Sequence, residues 1–419
     1  MLPIAQSPLG SILPRRAAGL VAEALLDTRV VLVNGARQCG KSTLVAQLAD
    51  QSGRAWYSLD RTTDLQAARR DPTGFVRQSP TMVIDEVQRE PELFLAIKEA
   101  VDTDPRPGRF LLTGSARVLG LRGLPDALPG RMETIELWPL SQGEIDGRPD
   151  GFIDAAFRLG SDLRQDSAES RQGYLGRIVR GGFPEAVARQ GKRRRAFHRA
   201  YVADLINRDV TQLSDVERGH ELRQLLRLVA ARSGAPLNQS ALASVLGLSR
   251  STVQRHLGLL EEVFLIKRLP AWTRGATGRV VHAPKAAVVD SGVAASLLGQ
   301  DETSLRRLDS PLGGLLEGFV AMELARQQAV ADEPVELFHY RTRDQTEVDL
   351  VLAHDQGPVI GLEVKAAETV RADDFRGLRH LANRLGDDFR AGFVLYLGQQ
   401  SLPFGERLRA LPVSAIWET

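Results

Sequence analysis

Two hydrophobic rhythms alternate along the first third of the chain. Unbroken apolar runs such as VVLV (30–33), MVI (82–84) and FLL (110–112) have the length and branched character of strands buried on both faces. Between them, STLVAQLAD (42–50) and PELFLAIKEAVD (91–102) repeat their apolar residues at helical intervals. AWYSLD (55–60) reads as one more strand, and METIEL (132–137) alternates behind a Pro-Gly turn. Strands separated by helices in this way predict a parallel sheet covered on both faces. Residues 145–172 lose the rhythm and read as a polar linker. Further on, LNQSALASVLGLSRSTVQRHLGLL (237–260) holds two short helical patterns broken at Gly247, with Ser249 placed to cap the second. Ala241, Leu242 and Val245 would form the buried face of the first helix, and Val253, Leu257 and Leu260 that of the second. FLIKRLPAW (264–272) and RVVHAPKAAVVD (279–290) read as wing strands behind them. Near the end, DLVL (349–352) and VIGLEVKA (359–366) flank a turn, followed by a helix and the strand AGFVLYLG (391–398). The fold predicted is α/β: a parallel-sheet nucleotide domain over 1–145, a helical lid or linker over 146–220, a winged helix-turn-helix over 221–285, and an α/β restriction-endonuclease-like domain over 286–419.

Composition narrows this little. Hydrophobic residues make up 43% and charged residues 25%, ordinary for a globular protein. No run approaches the roughly 18 apolar residues of a membrane span, so no membrane partner is expected. The N-terminus lacks a basic stretch followed by an apolar one, and a single cysteine, Cys39, allows no internal disulfide and no cysteine-built zinc site. A reducing, cytoplasmic setting is expected. A formal charge of +2 is too small to argue nucleic-acid binding by itself, so any such contact must be local.

The candidate chemistry starts at NGARQCGKST (34–43), where Gly35, Gly40, Lys41 and Ser42 match G-x-x-x-x-G-K-[ST]. Such a loop turns its backbone N–H groups into an anion nest, which requires glycine where φ is positive, and the helix that follows adds its positive end. Gly35, Ala36, Arg37, Gln38, Cys39, Gly40, Lys41, Ser42 and Thr43 would thus bind nucleotide, Lys41 reaching the β- and γ-phosphates and Ser42 offering a hydroxyl to Mg²⁺. Cys39 then serves through its backbone. The competing reading is a redox-sensitive thiol, since a helix N-terminus favours thiolate. ATP with Mg²⁺ is the cofactor predicted. The run MVI ends in adjacent carboxylates, Asp85 for the metal shell and Glu86 to orient or deprotonate the attacking water. FLLTGSA (110–116) brings Thr113 and Ser115 beside them as a γ-phosphate sensor. Arg131 is the candidate for stabilising charge on the transferred phosphoryl group, with Arg117 as its rival.

Two further clusters raise separate questions. Arg250, Ser251, Thr252, Gln254 and Arg255 lie at the start of the second helix of the helix-turn-helix, where a recognition helix meets base edges, and Lys and Arg outnumber Asp and Glu nearby. DNA contact competes there with a purely packing role. In the C-terminal domain Asp349, Glu363 and Lys365 follow a D…E-x-K order that resembles the restriction-endonuclease-like fold. There, two carboxylates hold a metal at the scissile phosphate. Glu317 would complete the acidic set, and Asp349 with Glu363 would form a second metal site. The alternative is a silent fold in which Asp349 and Lys365 form a partly buried ion pair.

GARQCGKST, VIDEVQ, LLTGSA, LPGRMETIELWPLS, GGFPEA, YVADLINRDV, KAAVVDSGVAASLLG, LLEGFVAMEL and YRTRDQTEVDLVL…GLEVKAA, taken in this order, resemble the AAA-type ATPases of bacteria and archaea that end in the domain of unknown function 4143. The resemblance runs over nearly the whole chain. It implies ATP hydrolysis to ADP and phosphate, and a homo-oligomer in which a neighbour supplies the phosphate-stabilising arginine. Two functions follow from the whole reading. One is an ATP-driven protein acting on DNA; the other is a nucleotide-dependent switch that binds a protein partner, with a silent C-terminal domain.

Overall fold

The computed structural model describes residues 7–115, 128–210, 219–273, 283–354 and 357–419, with backbone alone for 208–210. Arg117, the rival of Arg131, lies outside this description. The chain divides into two compact units. The first comprises residues up to Leu140 together with Phe183–Ala188 and Glu262–Phe264, and the second comprises the remainder.

In the first unit, the apolar runs form a sheet of five parallel strands: β1 (Val30–Gly35), β2 (Ala55–Ser58), β3 (Met82–Asp85), β4 (Phe110–Gly114) and β5 (Met132–Leu137), in the order β2-β3-β4-β1-β5. α1 (Ala17–Asp27) precedes β1, the two predicted helical patterns become α2 (Lys41–Ser52) and α4 (Leu93–Thr103), and α3 (Thr62–Arg70) follows β2. Val30, Leu32, Ile84, Phe110 and Leu112 join Phe94, Ile97 and Val101 in one core. Val31, Val33, Val83 and Leu111, on the opposite face, are wholly buried too, which is why the runs are unbroken rather than alternating. Because every strand runs the same way, β1, β3 and β4 end at one edge, and the loops that follow them meet there.

The second unit contains the helical region and the C-terminal sheet. α5 (Arg171–Arg180), α6 (Gly191–Asp204) and α7 (Gly219–Ala231) precede the helix-turn-helix, α8 (Gln239–Leu246) and α9 (Arg250–Glu262). Gly247 takes φ +66° between these two, and Thr252 N donates to Ser249 Oγ at 3.1 Å, the cap that the sequence predicts. Val253, Leu257 and Leu260 are fully buried as expected. On α8 the expectation is corrected: Leu242 and Ala243 are buried, while Val245 is 61% exposed. β6 (Ile266–Leu269) pairs antiparallel with β7 (Lys285–Val288), and α10 (Ser291–Leu297) and α11 (Leu312–Gln328) follow. α11 is buried on almost every side, in keeping with its apolar residues occupying the whole circumference. The last sheet comprises β8 (Val335–Arg341), β9 (Glu347–His354), β10 (Val359–Lys365), β11 (Phe389–Tyr396), β12 (Leu402–Pro403) and β13 (Leu408–Pro412), in the order β12-β13-β11-β10-β9-β8. β8, β9 and β10 are antiparallel neighbours; β10, β11 and β13 run parallel. α12 (Arg376–Leu385) covers its core through Leu378 and Leu381. Among the described residues, no helix is long and apolar enough to cross a membrane.

Candidate nucleotide site

The loop between β1 and α2 is held in a conformation that only certain residues tolerate. A Cβ at Gly35 would lie 2.0 Å from Leu137 O, so glycine is required for the close approach to β5. Gln38 and Gly40 take φ of +58° and +103°, which turns successive peptide groups toward one side. Gly40 then caps α2, whose first residue is Lys41. Lys41 is buried, and its Nζ donates to Gly35 O at 3.0 Å and Ala36 O at 2.8 Å, which seats the ammonium against the loop. Cys39 is wholly buried and its thiol donates to Leu137 O at 3.2 Å. The sulfur is an anchor facing away from solvent. Gln38 to Thr43, with Gln47 and Glu86, line a cleft of about 320 Å³.

Asp85 is the hub. Its Oδ1 accepts from Ser42 Oγ at 2.8 Å and from Thr113 Oγ1 at 2.6 Å, and its Oδ2 accepts from Ser58 Oγ at 3.3 Å. The ends of β2, β3 and β4 and the start of α2 thus converge on one carboxylate. Burial pushes the Asp85 carboxyl up, while the Thr113 and Ser42 hydroxyls pull it back down. The neighbouring carboxylate, which lines the cleft, is aimed by a different device. Glu86 has φ +60°, a strained angle for a residue with a Cβ, and its N–H donates to Thr113 Oγ1 at 2.9 Å. Its Oε2 accepts from Gln88 Nε2 and, at 3.2 Å, from Ser115 Oγ. Thr113 therefore touches both acidic residues.

Within one chain, Arg131 does not join this cluster. It precedes β5, whose other end, Leu137, pairs with Gly35, so the length of the strand separates it from the loop. Its guanidinium is held there by Asp102, with Nε 2.5 Å from Oδ1. Arg15, which belongs to no motif, and Pro184 and Glu185, from the GGFPEA stretch, also line the cleft.

In the second unit the D…E-x-K residues do meet, with an uninvited partner. Lys285, from β7, is 1% exposed, and its Nζ donates to Glu317 Oε1 at 2.8 Å and stands 3.7 Å from Asp349 Oδ1. Val364 N donates to Asp349 Oδ2 at 2.9 Å, and Lys365 Nζ to Glu363 Oε2 at 2.9 Å. Burial, and then the Asp349 charge, push Glu363 up to about 8 and Glu317 up to about 7. Burial works against the charge on Lys285, but Glu317 and Asp349 outweigh it and hold its pKa above the usual lysine value. Among the described residues, no group of three or more His, Cys, Asp or Glu is arranged to hold a metal ion. Asp349 and Glu363, expected as a second metal site, are each already bonded within the protein.

At the helix-turn-helix, Arg250, Ser251, Gln254 and Arg255 are exposed at the start of α9 and Thr252 is half-buried. Arg250 Nε reaches Gln239 Oε1 at 3.5 Å, and the Ser251 and Thr252 hydroxyls bond Ser249 Oγ at 2.9 and 2.8 Å.

Residues 27–146 match the AAA domain family, 171–304 the domain of unknown function 8612, and 312–416 the domain of unknown function 4143. An uncharacterised protein of Mycobacterium tuberculosis is 27% identical over 97% of this chain and 85% of its own length. One from Haemophilus influenzae is 22% identical over 71% of this chain and 74% of its own length. Among solved structures, a Walker-type ATPase of Pyrococcus abyssi aligns at 14% identity with a TM-score of 0.41, covering 68% of this chain and 96% of that one. The chain therefore carries an AAA-type P-loop ATPase domain at its front and ends in a domain of unknown function 4143.

Proposed function

We propose that the first unit binds ATP at Gly35–Thr43 and hydrolyses it. The observation that carries this is the convergence of Ser42 Oγ and Thr113 Oγ1 on one oxygen of Asp85, from three separate elements. The loop amides and Lys41 bind the phosphates, and the low-dielectric floor strengthens each contact. The Ser42 hydroxyl and the Asp85 carboxylate, 2.8 Å apart, fit a Mg²⁺ bound with the nucleotide, which would neutralise charge between the β- and γ-phosphates. Glu86 orients the attacking water and takes its proton; Thr113 fixes the Glu86 backbone and so the aim of its side chain. Leu9, Ile12, Leu13, Leu140 and Pro184 give the cleft an apolar end suited to a base. Glu86→Gln tests the assignment: kcat should fall by about 100-fold or more with ATP affinity within about threefold. Normal turnover in that variant would remove Glu86 from the chemistry, and wild-type protein that takes up no ATP would end the reading.

For the C-terminal domain, the geometry of Lys285 favours the silent alternative. A lysine ammonium bonded to Glu317 and facing Asp349 supplies the positive charge that a nuclease of this pattern takes from a metal, and Lys365 is turned onto Glu363. The carboxylates do not fit a divalent ion while these bonds stand, and no cleavage step is assigned to them. We propose DNA contact at the start of α9 as an effector surface for the ATPase; the exposure of Arg250, Ser251, Gln254 and Arg255 supports this reading.

A further inference from the structure

Arg15 stands in a segment that no motif marks, just before α1. Its two terminal nitrogens bridge separate segments: Nη1 donates to Cys39 O at 2.8 Å and Nη2 to Trp138 O at 2.7 Å. The first carbonyl belongs to the phosphate loop and the second to the residue just beyond β5. A Cβ on Gly40 would lie 3.3 Å from Arg15 Nη1, so the guanidinium packs directly against the loop at its most distorted residue. Across a trans peptide the C=O and the next N–H point in opposite directions. Holding the Cys39 carbonyl on the Arg15 side therefore turns the Gly40 N–H toward the other side, where the nest gathers its donors. Gly40, at φ +103°, has the conformational freedom to let that peptide rotate, so something outside the loop has to hold it. The Cys39 thiol, bonded to Leu137 O, ties the same residue to the end of β5. Arg15 also lines the cleft, so its permanent charge stands beside the site where the phosphates bind.

We infer that Arg15 is a positioning residue for the phosphate cradle, fixing the Cys39–Gly40 peptide so that the loop recognises the di- or triphosphate of a nucleotide. This rests on the nucleotide reading above. A lysine at this position keeps the charge but presents a single nitrogen in place of the two that Arg15 sets against separate carbonyls. The experiment measures ATP turnover and ADP binding by calorimetry for wild type, Arg15→Lys and Arg15→Ala, with circular dichroism as the check on folding. The alanine variant should raise the KM for ATP and the Kd for ADP about tenfold or more, with kcat within about threefold, and the lysine variant should fall between it and wild type. A residue that merely supported the fold would lower the active fraction, and so kcat, without moving KM. If the alanine variant does not fold, the lysine variant carries the test. KM and Kd at wild-type values in the folded variants would overturn the inference alone, whereas wild-type protein that binds no ADP or ATP would overturn the nucleotide reading and this inference with it.

Discussion

Glu86 shows how much one backbone angle decides. Adjacent residues on a strand face opposite ways, yet Asp85 and Glu86 both bond Thr113 because β3 stops at Asp85 and Glu86 enters the left-handed region. The pair of carboxylates was legible in the sequence; the angle that aims the second was not. Glu323 on α11 makes a different point at the same scale. It is fully buried, accepts from Gln142 N at 2.9 Å and from Arg326, and faces Asp150 and Glu144 as well. Burial pushes its carboxyl up to about 7, against the pull of Arg326. A raised carboxyl takes up protons in the folded state that the unfolded chain releases. Its contribution to stability is therefore full below the ordinary glutamate range and is lost as pH rises toward about 7. Urea unfolding between pH 5 and 8 should show stability falling with pH by on the order of 1–3 kcal/mol from this group, and a flatter profile for Glu323→Gln. Equal slopes would show that Arg326 keeps the carboxylate ionised throughout.

At the scale of elements, helix ends and turns were the most readable features and their partners the least. Asp290 caps α10 through Val293 N at 3.0 Å, as an aspartate before a small-residue helix should. Its other oxygen accepts from Gly182 N at 2.7 Å, and a Cβ on Gly181 would lie 2.2 Å from Oδ1. Two motifs far apart in sequence, GGFPEA and VVDSG, thus make one joint, and the glycines are required by close approach rather than by a turn alone. The helix-turn-helix was legible down to the Ser249 cap, apart from Val245, which belongs to the exposed side of α8. If α9 contacts DNA, its affinity should fall steeply between about 50 and 200 mM salt, and Arg250→Ala/Arg255→Ala should weaken binding and flatten that slope. Binding measured by fluorescence anisotropy that ignores both changes would leave α9 a packing element.

For the molecule as a whole, the balance of charge matters more than its total. A net +2 says nothing of the C-terminal cluster, where two lysines and three carboxylates lie within one buried network. Plasmid DNA incubated with the protein and Mg²⁺ or Mn²⁺ should acquire no strand breaks. Cleavage that disappears in Glu363→Ala would show that metal displaces the lysines and would restore the nuclease reading.

By itself the sequence determined the α/β class, the parallel sheet and the phosphate loop, because these depend on short-range spacing: unbroken apolar runs, glycines at fixed intervals and a lysine and serine beside them. Tertiary structure alone decided which charges meet. Arg131 sits at the end of β5 away from the loop and meets Asp102, while Arg15 and Lys285, which the motif chemistry did not single out, reach the two sites from distant segments. Ion pairs and carbonyl clamps join residues that only folding brings within a few ångströms, and no local pattern records them.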